Sequence, residues 1–94
     1  MENTELMRAL LDLADRCGVE VRSAVGDGAP DSGVCRLRDR FWVVLSDRDP
    51  VALQIDVLAG ALGTHAAAVL EGQYLPPAVR DRIEAAVPPG KQFS

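Results

Sequence analysis

Leu6, Leu10, Leu13 and Cys17 recur at the spacing of one helical face, with Met7, Leu11 and Ala14 beside them. A helix is therefore predicted over residues 5–17, capped by Asn3 or Thr4 and closed by Gly18, which reaches the left-handed conformation without a Cβ clash. The period then shortens. Val19, Glu20, Val21 and Arg22 alternate as a strand, and residues 26–33 follow as a loop of Gly, Asp, Ala, Pro and Ser with nothing to bury. Residues 34–38 and 41–45 are two apolar-rich runs joined at Asp39-Arg40, the pattern of an antiparallel hairpin.

The hairpin loop decides which side chains meet the core. A two-residue loop puts Cys35 and Leu37 on one face with Trp42 and Val44, and leaves Phe41, Val43 and Leu45 opposite, beside Arg36 and Arg38. A three-residue loop reverses the second strand and exposes Trp42 among the arginines, where its ring can stack on a guanidinium. In either register one large apolar group faces away from the core.

Asp49-Pro50 is a helix start, with Asp49 as side-chain cap and Pro50 at the first helical position. Val51, Ile55, Leu58, Ala59 and Leu62 make the buried stripe of a helix to residue 62, with Gly63 as its stop. Thr64 caps a short turn over residues 68–71. Tyr74-Leu75-Pro76-Pro77 is extended and leads to a last helix over residues 78–86, ended by Pro88-Pro89. The predicted fold class is α+β: an N-terminal helix, a small antiparallel sheet of about three strands with a hairpin, then a central and a C-terminal helix on one face. Residues 1–89 form one domain and 90–94 a frayed tail.

Ninety-four residues, 48% of them apolar, suffice for a single core and no second domain. Fourteen acidic groups against ten basic ones give a net charge of -4, which argues against a phosphate-binding surface and so against nucleic acid. The acidic start has neither the basic nor the apolar region of a signal peptide, and polar residues interrupt the most apolar window, 51–70. A cytoplasmic protein with no membrane partner is expected. In that compartment Cys17 and Cys35 are expected to be reduced rather than bridged.

Chemistry-bearing residues are scarce. His65 is the sole histidine, and no spacing joins it to Cys17, Cys35 or a carboxylate as a metal set. The carboxylate pairs Asp12 with Asp15 and Asp47 with Asp49 fit a solvated helix face and a helix-start loop better than a catalytic dyad. No catalytic residue, cofactor or metal is assigned.

The hairpin followed by Leu58-Ala59-Gly60-Ala61-Leu62-Gly63-Thr64 resembles the ImmA/IrrE type of small zinc peptidase. In that family a helix after the hairpin carries L-A-H-E-L-G-H, whose histidines bind zinc while the glutamate activates water. Leu58, Ala59, Leu62 and Gly63 match that motif. Gly60, Ala61 and Thr64 stand where the ligands and base belong, and His65 lies one residue past the second ligand position. The resemblance implies a zincin-like scaffold stripped of its metal. The chain also resembles small bacterial proteins of its length, which implies a bacterial origin.

The function expected is a non-enzymatic interaction or scaffold module that contacts a protein partner or a second copy of itself, as a homodimer, through Phe41, Trp42, Val43, Val44 and Leu45. The alternatives are a small metal- or thiol-dependent hydrolase using His65 or Cys35, and an acidic regulatory partner of a basic protein.

Overall fold

The computed structural model describes residues 1–87; Pro88-Pro89 and the expected tail over residues 90–94 lie outside the described residues. The elements are α1 (Asn3–Arg16), β1 (Val21–Ala24), β2 (Gly33–Leu37), β3 (Arg40–Ser46), α2 (Val51–His65), α3 (Ala67–Leu70) and α4 (Pro77–Ala86). This is an α+β protein whose helices pack on one face of a three-stranded sheet.

The predicted stop of α1 is realised in full. Gly18 adopts φ 73°, its N–H donates to the Asp15 carbonyl and the Val19 N–H to the Ala14 carbonyl, so two carbonyls orphaned at the helix end are satisfied at once. The turn consumes Val19 and Glu20, and β1 consequently begins at Val21 rather than Val19.

The sheet order is β1-β3-β2. β2 and β3 form the expected antiparallel hairpin, with Cys35 opposite Trp42 and Leu37 opposite Arg40, which is the two-residue register turning at Arg38 and Asp39. β1 runs parallel to β3, Val21 opposite Val43, so the sheet is mixed rather than purely antiparallel. To leave β1 on one side of β3 and enter β2 on the other, residues 25–32 must cross the C-terminal end of β3.

That crossing segment is tied down along its length. The Asp47 carboxylate accepts from the Gly26 N–H at 3.4 Å, Asp49 from the Ser32 N–H at 2.9 Å, and the Ser32 hydroxyl from the Ser46 N–H at 2.8 Å. Arg48 donates to the Ala29 carbonyl at 3.0 Å. The expectation of a loop with nothing to bury is corrected here, because Ala29 is buried. Asp49 is likewise not the cap of α2. Its carboxylate is spent on Ser32, and Pro50 occupies the position before the first helical residue.

One core fills the space between helices and sheet. Leu10, Leu13, Ile55, Leu58, Leu62 and Ile83 are almost wholly buried and meet Val43 from the centre of β3; each such side chain contributes about 1.5–3 kcal/mol by burial. α2 does not end at Gly63, as its sequence position suggested. The helix continues to His65, and Gly63 lies within it against α4 and the residue that follows: a Cβ there would lie 2.3 Å from Val87 Cγ2 and 2.9 Å from Ile83 Cγ2. The glycine serves an approach of two helices and not a left-handed turn.

Candidate interaction surface

Strand alternation sorts the five expected contact residues. Phe41, Val43 and Leu45 face the helices: Val43 and Leu45 are buried in the core and Phe41 packs partly against it, its ring 4.9 Å from that of His65. Trp42 and Val44 point the other way. Val44 is also buried, and like Ala29 it stands outside the main core cluster, beneath no helix. Val43, Val44 and Leu45 are therefore inaccessible in the folded monomer, which corrects the expectation that the whole strand presents a surface. Trp42 remains, half-buried on the outer face, with Leu37 63% exposed on the same side of the neighbouring strand.

Two guanidinium groups flank the Trp42 ring. Arg22 Cζ lies 4.5 Å from the ring centroid and Arg40 Cζ 5.8 Å, both within the range of cation–π attraction. The stacking expected of the three-residue loop thus occurs in the two-residue register. Its arginines come from β1 and from the start of β3, not from Arg36 and Arg38.

Glu20 holds the pair in place. Its Oε1 accepts from Arg40 Nη2 at 2.8 Å and its Oε2 from Arg22 Nε at 2.5 Å. These hydrogen bonds, the one from Arg40 first, keep the Glu20 carboxyl below the usual carboxylate range. Exposed ion pairs contribute little stability, so what Glu20 provides is orientation. Among the described residues neither guanidinium makes another hydrogen bond, and each retains most of its five donors. Sequence reasoning missed Glu20. The available signal was the i,i+2 spacing of Glu20 with Arg22 and of Arg40 with Trp42, which sets each pair on one side of an extended chain.

The other candidates do not converge. Burial pushes the Cys17 thiol up, partly offset by Arg16, which is the wrong direction for a thiolate nucleophile. Cys35 is a free thiol opposite Trp42 in the hairpin ladder. Among the described residues no three His, Cys, Asp or Glu side chains gather as a metal set. At the motif positions of the zincin resemblance, a Cβ on Gly60 would meet the Ala86 carbonyl oxygen at 3.2 Å, Ala61 is buried and Thr64 is half-buried. Asp12 pairs with Arg16 one turn away, at 3.2 Å.

Two surface grooves flank Leu75. One of about 220 Å³ lies between α3 and α4, and one of about 170 Å³ between α1 and the start of α4. Both are smaller than the roughly 300–1,000 Å³ of a ligand pocket. No described helix is long and apolar enough to cross a membrane. Comparison with protein families, with curated proteins and with solved structures found no match.

Proposed function

We propose that this chain is a non-enzymatic protein-interaction module whose contact is the outer face of the sheet, centred on Trp42. One observation carries the reading: the sole tryptophan projects away from the core, between two arginines that a carboxylate fixes in advance. Trp and Arg are the residue types most enriched at interaction hot spots, and side chains ordered before contact lose less entropy on binding. The occupant is a protein surface or a second copy of the chain. The zincin resemblance enters this reading as an inherited scaffold, without metal chemistry.

The test is selection of a displayed random peptide library on the folded wild-type chain, with counter-selection on Trp42→Ala, alongside sedimentation of both proteins. Peptides enriched on wild type and lost on the variant support the module, as does a wild-type dimer that the variant does not form. A wild-type chain that is monomeric and enriches no Trp42-dependent peptide overturns it.

A further inference from the structure

Resting on that reading, we infer that the partner is an acidic peptide segment, lying across the outer face with its carboxylates on Arg22 and Arg40 and an apolar side chain over Trp42 and Leu37. The argument starts from how charge is distributed. Residues 20–24 and 33–46, which supply the sheet and the hairpin turn, hold four arginines, Arg22, Arg36, Arg38 and Arg40, against Glu20 and Asp39. The rest of the chain holds six basic groups and twelve acidic ones. An acidic protein thus concentrates positive charge in its sheet, with Arg22 and Arg40 on the face that carries the half-buried Trp42 ring.

Three features of that region select an acidic peptide. Arg22 and Arg40 are already aimed, since Glu20 and the Trp42 ring hold both guanidiniums, and each offers unspent N–H donors to a carboxylate in bidentate geometry. Trp42 and the largely exposed Leu37 add an apolar patch that a free anion cannot cover but a peptide side chain can. A two-fold dimer through this face sets Arg22 and Arg40 against their own copies, and like charges across an interface cost several kcal/mol. Nucleic acid meets the same positive groups but also the acidic remainder of the chain, which repels a long phosphate backbone.

The selection described above tests this separately from the module itself, because the composition of the enriched peptides is a second readout. The expected pool is rich in Asp and Glu beside an apolar residue. Its peptides should shift the emission of Trp42, bind about tenfold more weakly to Arg22→Gln and to Arg40→Gln, which is about 1.4 kcal/mol each, and weaken steadily with added salt. Arg8→Gln, which removes an exposed charge from α1, is the control for charge alone and should leave binding unchanged. Trp42-dependent peptides that are neutral or basic overturn the acidic partner and leave the module standing. A wild-type dimer broken by Trp42→Glu does the same and makes the second copy the occupant. The absence of both peptide binding and self-association removes the module and this inference together.

Discussion

The two faces of β3 are one residue apart in sequence and are held by different physics. On the inner face Val43 is fully buried among Ile55, Leu58 and Leu62, and its position is set by exclusion from water. On the outer face Trp42 is held by directional contacts with Arg22 and Arg40, themselves oriented by Glu20, and Val44, though buried, stands outside the main core cluster. The inner face cannot change without loss of the fold. The outer face can, and a surface that the fold does not require is one that recognition can use.

The sharpest way to break the comparison is to place the same charge on both sides. Val43→Glu buries an unpaired carboxylate at a site with no exposure and should unfold the chain, at a cost of several kcal/mol; Trp42→Glu should leave a cooperative thermal transition within about 1 kcal/mol of wild type. Two unfolded variants would show that the outer face is core as well. Next in size, Gly63→Ala drives a methyl into Val87 and Ile83, both stiff β-branched side chains, and should lower stability by about 1–3 kcal/mol in chemical denaturation. An unchanged midpoint would mean that α4 yields at no cost.

Ser32→Ala tests the polar fastening of the crossing segment at the end of β3. It leaves the part-buried Ser46 N–H without its 2.8 Å acceptor and should cost about 1 kcal/mol while leaving the α1–α2–α4 packing intact, as read by helical circular dichroism below the transition. Arg38→Gly acts in the opposite direction. Arg38 turns the hairpin at φ 61°, a conformation costly to a residue with a Cβ, so glycine should stabilise by about 1 kcal/mol. The smallest effect is that of pH. The Glu20 and Asp49 carboxyls both lie below their ordinary values, Glu20 through Arg40 and Arg22, Asp49 through Ser32. Their contribution is complete above the unfolded carboxylate range, near pH 4, and is lost as pH falls through the lower folded values. Melting curves on acidification should decline there, and more shallowly in Glu20→Gln.

The periodic elements could be read from sequence alone, because α1, the hairpin and α4 each bury a stripe whose spacing is set within the element. The errors fall where a contact from elsewhere decides. Gly63 has the look of a helix stop until Val87 and Ile83 explain why no side chain fits there. Asp49 has the look of a cap until Ser32, 17 residues earlier, takes its carboxylate. The parallel pairing of β1 is invisible locally, since four alternating residues fit either direction. At the candidate site the strand of Trp42 was legible, because large apolar residues cannot all fit one face of a thin sheet, but which of its residues faces outward hung on the hairpin register. Glu20 did not, because its partners Arg22 and Arg40 lie on two different strands.

The crossing of residues 25–32 over the end of β3 also orders the events of folding. The β2–β3 ladder closes a two-residue turn and forms from neighbours, whereas β1 must find a partner 22 residues away, Val21 to Val43, and can pair only with an edge that β3 already presents. The hairpin is thus expected to form first and β1 last, with the crossing segment fastened by Ser32 and Asp49 as β1 docks. Native-state hydrogen exchange should find the β1 amides opening at lower free energy than those of the β2–β3 ladder. Each such opening detaches Arg22 while Arg40 and Trp42 stay on the hairpin, so the clamp around the tryptophan is the part of the sheet that local unfolding dismantles first.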